Sequence, residues 1–221
     1  MINNIFVINL KKDIQRLQKY LYFIKKNTQN INLYRFNAID GSNINNIKKS
    51  IELFDKEKQK KVLENWKKKP GTTACFLSHI RLWNIILNND KSSEYTLIME
   101  DDSHIIPNGL KIVNTIIKKY SNFDILYVGH GNLKSKPINP YLEKPLIGKY
   151  PGYNTGLYGY VIKKSSIQKL LNLLPFNNPC LDYQLKSIFD KGYNAVFIKK
   201  SLIFHHKGYS TRKNIDNLIK N

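Results

Sequence analysis

Apolar residues along this chain follow two periods, and together they predict an α/β fold. Short apolar runs rich in β-branched side chains indicate buried strands. Between them, apolar residues recur three and four positions apart, which is the pattern of amphipathic helices. The order of these segments favours a mixed, mostly parallel sheet flanked by helices, in a single domain over residues 1–221. The predicted strands are 5–10, 33–36, 95–99, 124–128, 156–162, 195–198 and 202–204, and the predicted helices are 13–26, 72–87, 107–119, 165–174 and 182–189.

Two segments depart from this pattern. Residues 42–69 are polar and hold most of the lysine clusters, and they end at Pro70. We expect them to form a lysine-rich surface insert, either as one or two surface helices or as a mobile segment. Thr72 or Thr73 is then expected to cap the following helix. Residues 129–154 are rich in Pro, Gly, Asn and Lys, and this composition predicts a loop.

The chain is strongly basic, with 36 Lys and Arg against 16 Asp and Glu, a formal net charge of +20. This charge could attract nucleic acid, an anionic membrane surface or phosphorylated small molecules. Only two aromatic residues, Phe54 and Trp66, lie among the lysine clusters of residues 48–69, so a surface that stacks single-stranded bases is not indicated, and we expect no specific nucleic acid. A lysine-rich surface typical of an AT-rich genome explains the same charge without any partner. A basic nucleic-acid-binding or polyanion-binding protein remains the rival class.

The two cysteines, Cys75 and Cys180, exclude a disulfide framework, and the lack of a C-x-x-C pair excludes a zinc ribbon. The apolar run at the start of the chain lacks a preceding basic segment and a small-residue cleavage site, so it predicts a strand and not a signal peptide. No apolar segment approaches the roughly 20 residues that span a bilayer. We expect a soluble, cytoplasmic protein whose basic surface contacts anionic membranes peripherally.

Three consecutive acids, Glu100, Asp101 and Asp102, follow the predicted strand 95–99. Ligands of open α/β sheets bind beyond the carboxyl ends of the strands. Along an extended chain, alternation directs Glu100 and Asp102 to one side and Asp101 to the other. Two carboxylates on one side form half of a site for Mn²⁺ or Mg²⁺, which substrate phosphates and waters complete. The alternative interpretation is a solvated acidic turn that caps the next helix.

A pair of histidines, His205 and His206, lies at the end of another predicted strand. Either histidine could complete the metal shell. Lys207 and the backbone of Gly208 would then meet a diphosphate at close range. Exposed or hydrogen-bonded histidines are commoner than metal ligands, so the pair is weak as a signal by itself.

Two further positions carry candidate chemistry. Ser78 and His79 are adjacent in a predicted helix, where neighbours do not face each other, so a nucleophilic Ser-His pair is not indicated. We expect His79 to bind the substrate or a neighbouring strand, and Trp83 to lie in the core. Asp182 begins a short predicted helix, where it either caps that helix or acts as a general base.

Seven segments resemble glycosyltransferase family 25, which includes bacterial lipooligosaccharide galactosyltransferases and procollagen galactosyltransferases. The resemblance implies a GT-A fold, Mn²⁺, a donor such as UDP-galactose or UDP-glucose, and inversion at the anomeric carbon. The segments come in the family's order and span nearly the whole chain. They are FVINLKKDIQRLQ, FNAIDG, GTTACFLSHIRLWNIIL, LIMEDD, DILYVG, GLYGYVIKKSSIQKLL and CLDYQL.

The resemblance also implies roles for individual residues. Residues 100–102 would be the family's D-x-D metal motif, and Asp101 would help to hold the nucleotide sugar. Asp182, which its residue type and position already offered as a general base, is then our candidate for deprotonating the acceptor hydroxyl. The residues that would line the donor side of the cleft are Asn9, Leu10, Arg16, Ser78 and His79. This sequence departs from the family where Thr72 and Ala74 replace an acidic residue and a glycine.

We therefore expect an inverting hexosyltransferase that acts on a hydroxyl of a glycan, lipooligosaccharide or protein acceptor. The loop 129–154 would close over that acceptor, with Tyr150, Tyr153 and Tyr158 available to stack on sugar rings or to pack in the protein. A two-metal phosphohydrolase or nuclease would need more acidic residues than this chain offers. An inactive transferase that serves as a binding module remains an alternative.

Overall fold

A computed structural model describes residues 1–27, 31–90, 92–131, 135–145 and 158–205. Within these ranges the chain forms ten strands and seven α-helices. The strands are β1 Asn4–Asn9, β2 Asn32–Asn37, β3 Tyr95–Glu100, β4 Ser103–Ile105, β5 Ile125–Gly129, β6 Ser135–Pro137, β7 Leu142–Pro145, β8 Gly159–Lys163, β9 Ala195–Ile198 and β10 Ile203–His205. The helices are α1 Ile14–Asn27, α2 Ile44–Ile51, α3 Lys56–Lys68, α4 Pro70–Asn88, α5 Gly109–Lys119, α6 Ile167–Leu173 and α7 Leu181–Lys186.

Eight of the described strands form one mixed sheet in the order β2-β1-β3-β8-β5-β9-β7-β6. Six of them run in the same direction, and β8 and β7 run in the other, as the pairings show. The predicted mixed, mostly parallel sheet is therefore confirmed. β1 and β3 are parallel neighbours in which Ile8 pairs with Glu100. Their carboxyl ends consequently meet at one edge, which is where a ligand cleft is expected.

Helices cover both faces of the sheet, so its central strands are apolar on both sides. A hydrophobic cluster lies on each face of the sheet. In β1, Ile8 belongs to one cluster and Val7 to the other, because side chains alternate along a strand. α4 packs on the first face through a stripe that includes Trp83, while α1 and α5 cover the second. Each fully buried aliphatic side chain contributes about 1.5–3 kcal/mol. Among the described helices, none is both long enough and apolar enough to cross a membrane.

The lysine-rich segment 42–69 is helical, as one of the two predicted alternatives had it, and the other alternative, a mobile segment, is wrong. It forms α2 and α3, and the apolar sides of these helices (Ile47, Ile51 and Val62) belong to the main core. Asn43 and Asp55 begin the two helices by accepting hydrogen bonds from backbone N–H groups. The lysines lie on the outer faces, because an amphipathic helix needs only one apolar stripe to pack.

The helix that follows begins at Pro70, so the predicted caps at Thr72 and Thr73 are wrong. Proline fits the first turn of a helix because its missing N–H has no partner there in any case. A side chain at Gly41 would collide with the carbonyl oxygen of Pro70, so the turn at Gly41 packs directly on the start of α4. Trp66 Nε1 donates to the Gly41 oxygen at 2.8 Å and holds this turn in place.

Part of the predicted loop 129–154 belongs to the sheet. β6 and β7 form a hairpin that extends the sheet, with Leu142 opposite Ile198 of β9. The prediction of a loop is therefore wrong over residues 135–137 and 142–145. Residues 146–154 lie outside the described residues, and so do Tyr150 and Tyr153.

Asp124 joins three elements beside the sheet, and we expect Asp124→Ala to lower the free energy of unfolding by about 2–4 kcal/mol at pH 7. The Asp124 carboxylate accepts from Ser166 Oγ at 2.6 Å, from Asn194 N at 2.8 Å and from Lys169 Nζ at 3.0 Å. Burial alone would raise the pKa of Asp124, but these bonds outweigh it and hold the pKa below the ordinary 3.8.

The loss of unfolding free energy in Asp124→Ala should depend on pH. Because the folded-state pKa is lowered, the stabilisation is present above pH 3.8 and is lost as the pH falls through the folded-state pKa. Urea titrations at pH 7 and below pH 3 measure this, with Asp90→Ala at an exposed turn as the control. Equal stabilities of Asp124→Ala and the unchanged protein at pH 7 would contradict the expectation.

Candidate functional site

A cleft of about 170 Å³ opens at the carboxyl ends of β1 and β3. The first half of α4 forms one wall, and the starts of α1 and α7 lie around it. The cleft brings together nine of the predicted site residues, which are far apart in the chain. They are Leu10, Arg16, Ser78, His79, Glu100, Asp101, Asp102, Asp182 and His205.

The three acids do not follow the alternation predicted for an extended chain. β3 continues to Glu100, and Asp101 and Asp102 then form a turn before β4. Both aspartates consequently contact the same arginine: Arg16 Nη2 lies 2.7 Å from Asp101 Oδ1 and 3.2 Å from Asp102 Oδ2. The argument that separated Asp101 from the other two acids is wrong, and all three line the cleft.

Asn9 lies behind this acidic turn and not on the wall of the cleft. Its Nδ2 donates to Asp101 Oδ2 at 2.6 Å and to the backbone oxygen of Asp13 at 3.0 Å. Burial raises the pKa of Asp101 to about 6, although Arg16 and Asn9 favour the ionised form. Asn9 and Arg16 thus hold the Asp101 carboxylate from two sides.

His205 reaches the acids through a small second sheet that the sequence did not predict. β10 pairs antiparallel with β4, placing His205 opposite Ser103. His205 Nε2 lies 3.1 Å from Asp102 Oδ2. β10 can pass close to β5 because residue 129 is glycine: a Cβ there would lie 2.6 Å from the backbone oxygen of Ile203.

The environment of Asp102 suits a divalent cation. Burial and the charge of Glu100 raise its pKa, while His205 and Arg16 oppose the rise. Asp102 Oδ1 is buried and accepts no hydrogen bond from the described residues. This buried carboxylate oxygen accepts no hydrogen bond from the described residues and lies close to a second carboxylate. Such oxygens are ligands that Mn²⁺ or Mg²⁺ can use.

Ser78 and His79 make separate structural contacts on α4. Ser78 Oγ accepts from Ile39 N at 2.9 Å and donates to the backbone oxygen of Ala74, so it ties the helix to the chain beyond β2. The ring of His79 hydrogen-bonds through Nδ1 to the hydroxyl of Tyr160 in β8, at 2.7 Å. The expected bond to a neighbouring strand is therefore confirmed. Trp83 donates to the same hydroxyl and is fully buried, as predicted.

Asp182 lies on the wall of the cleft, close to Tyr158. α7 begins at Leu181 with Cys180 as the capping residue, so the interpretation of Asp182 as a helix cap is wrong. Burial raises the pKa of Tyr158, and the charges of Asp182 and Asp102 raise it further. Tyr158 is thus near both carboxylates, and its ring centroid lies 5.1 Å from that of His205.

Three of the predicted site residues, His206, Lys207 and Gly208, lie outside the described residues. Conversely, the sequence interpretation assigned Cys75 no role in the site. Its Sγ lies 3.8 Å from Glu100 Oε1, and it lines the cleft one helical turn before His79. The C-x-x-x-H spacing, which places both side chains on one face of a helix, was the available signal.

The chain is similar to known proteins over most of its length. The family model described as glycosyltransferase family 25 (LPS biosynthesis protein) matches residues 2–183. A glycosyltransferase 25 family member of Drosophila pseudoobscura pseudoobscura is 26% identical over 217 residues, covering 91% of this chain and 33% of the relative. Procollagen galactosyltransferase 1 of Danio rerio is 24% identical over 182 residues, covering 78% of this chain and 29% of the relative. The chain thus spans about a third of the length of these curated relatives.

A solved structure, the inositol-1-phosphate CTP transferase of T. maritima, superposes with a TM-score of 0.51 at 13% identity. The alignment covers 99% of this chain and 96% of that one. At this identity the likeness concerns the fold alone. The α/β fold predicted from the sequence, of the GT-A type, is confirmed. Since the family model matches most of its length, the chain belongs to glycosyltransferase family 25.

Proposed function

We propose that this protein is an inverting, metal-dependent hexosyltransferase that uses a UDP-sugar, with UDP-galactose as the first candidate. The observation that carries the proposal is the pairing of two features in one cleft. One is the acidic turn, whose Asp102 Oδ1 accepts no hydrogen bond from the described residues, and the other is Asp182. Family membership supports a glycosyl donor, and the galactosyltransferase name of the Danio rerio relative favours galactose.

The donor diphosphate would bind at the acidic turn. Asp102, Glu100 and His205 are the residues that would hold Mn²⁺ or Mg²⁺ there. The cation would supply Lewis-acid stabilisation of the charge that develops on the departing diphosphate. Arg16 contacts this turn, and it would orient the nucleotide through the same guanidinium that holds Asp101 and Asp102. Leu10 would provide an apolar wall for the nucleotide.

The acceptor would react on the side of the cleft that carries Asp182. In a single displacement, the acceptor oxygen forms a bond to the anomeric carbon as the bond to the diphosphate oxygen breaks, which inverts the configuration. The hydroxyl proton passes to the Asp182 carboxylate, which acts as the general base. Tyr158, between Asp182 and the acidic turn, would contact the transferred sugar.

The acceptor is proposed to be a hydroxyl of a glycan, a lipooligosaccharide or a protein, the classes that the family description and the Danio rerio relative suggest. The lysines on the outer faces of α2 and α3 would favour an anionic acceptor. Contact of this basic surface with anionic membranes stays a prediction. Co-sedimentation with anionic vesicles at several salt concentrations tests it.

We expect nucleotide release from one donor in a panel of nucleotide sugars, and we expect this release to require Mn²⁺ or Mg²⁺. The panel is incubated with the protein with and without the cation, and free nucleoside diphosphate is measured. The sugar product is then analysed for its anomeric configuration. No release from any donor, together with salt-sensitive binding of nucleic acid, would support the rival polyanion-binding function instead.

A further inference from the structure

Three potential metal ligands meet on the wall of the cleft beside the acidic turn: Cys75 Sγ, His79 Nε2 and a carboxylate oxygen of Glu100. All three atoms lie within 4.8 Å of one another. α4 supplies the thiol and the imidazole from one face, four residues apart, and β3 supplies the carboxylate at its last residue. These ligands differ from the carboxylate oxygens at Asp102, because they include a sulfur atom as well as nitrogen.

Two of the three separations between these atoms approach those of a tetrahedral zinc site, and the third, between Cys75 Sγ and His79 Nε2, is at most 4.8 Å. Zinc bonds of about 2.3 Å to sulfur and about 2.0–2.2 Å to nitrogen and oxygen place neighbouring ligand atoms about 3.4–3.6 Å apart. Here Glu100 Oε1 lies 3.6 Å from His79 Nε2 and 3.8 Å from Cys75 Sγ. Small side-chain movements would therefore suffice to close the site.

The ring of His79 is held in the orientation that such a site needs. Its side chain is 1% exposed, and Nδ1 is occupied by the Tyr160 hydroxyl. Nε2 is buried and makes no hydrogen bond with any described residue. In metalloproteins, a ligating histidine commonly has its second ring nitrogen fixed by a hydrogen bond in this way. Nε2 faces Glu100 at 3.6 Å, and no described residue supplies the hydrogen bond that a buried nitrogen normally makes.

We infer that Cys75, His79 and Glu100 form a binding site for a thiophilic divalent cation such as Zn²⁺. Thiolate and imidazole ligands favour zinc over magnesium or manganese. Binding releases the thiol proton of Cys75 to solvent, since the thiolate is the ligand. All three residues line the cleft, so the fourth ligand position is open to water. Glu100 is also a ligand of the proposed Mn²⁺ or Mg²⁺ site, so bound Zn²⁺ weakens Mn²⁺ binding. This competition rests on the proposed function.

Titration of the metal-free protein with Zn²⁺, against a chromogenic chelator, tests the site directly. We expect one zinc per chain, and a dissociation constant raised by at least about tenfold in Cys75→Ser. Cys180→Ser is the matched control, because Cys180 is half-buried and lines the same cleft but lies outside the cluster. It should bind zinc as the unchanged protein does. Equal zinc binding by Cys75→Ser, or a loss confined to Cys180→Ser, would overturn the inference.

Replacing zinc by Co²⁺ gives a second measurement that does not depend on affinity. A thiolate-to-cobalt charge-transfer band is expected in the unchanged protein and in Cys180→Ser, and its absence is expected in Cys75→Ser. Circular dichroism checks that each variant is folded, and a cobalt-loaded protein without this band contradicts thiolate ligation.

Mn²⁺ binding, followed by water-proton relaxation with and without Zn²⁺, reports the competition separately. If Mn²⁺ does not bind, the proposed function fails while the zinc site stands. If Mn²⁺ binds and Zn²⁺ does not, the inference fails while the proposed function stands. If both bind independently, the shared use of Glu100 is wrong.

Discussion

Asp102→Asn is expected to lower metal-dependent transfer by about 10²–10³-fold, the cost of removing one group that stabilises developing charge. Asparagine preserves the size of the side chain but removes the negative charge that would hold the cation. The buried Oδ1, which accepts no hydrogen bond from the described residues, would then no longer share a negative charge that attracts the cation. Binding of Mn²⁺ should weaken in parallel. Initial rates of nucleotide release and Mn²⁺ titrations measure the two effects.

Asp55→Asn provides a matched control for this substitution. Asp55 is exposed and begins α3 by accepting from Lys58 N at 2.8 Å. Asparagine caps helices about as well as aspartate, so both the fold and the rate should be retained. An Asp102→Asn variant that kept the rate and the Mn²⁺ affinity of the unchanged protein would remove Asp102 from the proposed metal site.

Asp182→Asn is expected to lower kcat by about 10²–10⁴-fold, the usual contribution of a general base. Donor and Mn²⁺ binding should change little, since Asp182 would act on the acceptor side of the cleft. The acidic limb of the pH–rate profile, which reports protonation of the base, should disappear. Steady-state kinetics across pH, together with donor binding by calorimetry, measure these effects.

Tyr183→Phe is a suitable control because Tyr183 is the next residue of α7 and its side chain is 58% exposed. Its kinetics should match those of the unchanged protein. Normal turnover by Asp182→Asn would exclude this residue as the base. Loss of donor binding in this variant would instead place Asp182 at the nucleotide, contrary to the proposed division between donor and acceptor.

The elements that the sequence predicted best are those with an unambiguous local period. β9 was predicted with its observed bounds, and β1 and β3 were predicted to within one residue. The continuous apolar runs of β1 and β3 reflect burial on both faces, which the structure confirms. α4 was recognised from its apolar stripe, although its start was displaced because Pro70 was interpreted as ending a segment when it opens a helix.

Other elements could not be predicted because their stability depends on distant partners. β4 has only three residues, and it exists as a strand through its pairing with β10. β6 and β7 have the composition of a loop, yet β9 supplies an edge that β7 extends. In α2 and α3, the high lysine content obscured the few apolar positions that pack into the core.

The site was partly predictable for a similar reason. Carboxylates at a strand end and an aspartate near the start of a helix are visible as residue types, and both line the cleft. The turn at Asp101 and Asp102 was not visible, since alternation assumes an extended chain. Cys75 was considered only as a possible disulfide partner, and its proximity to Glu100 depends on how α4 packs against β3.

By itself, the sequence determined the α/β class, most of the strands and helices, the family resemblance and the acidic group at the end of β3. These features depend on periodicity and residue type, which are local properties of a chain. The tertiary structure alone decided that Arg16 bridges Asp101 and Asp102, that β10 brings His205 to Asp102, and that Cys75 and His79 face Glu100. Such contacts join residues far apart in the chain, and they form only when close packing of the helices on the sheet brings those residues together.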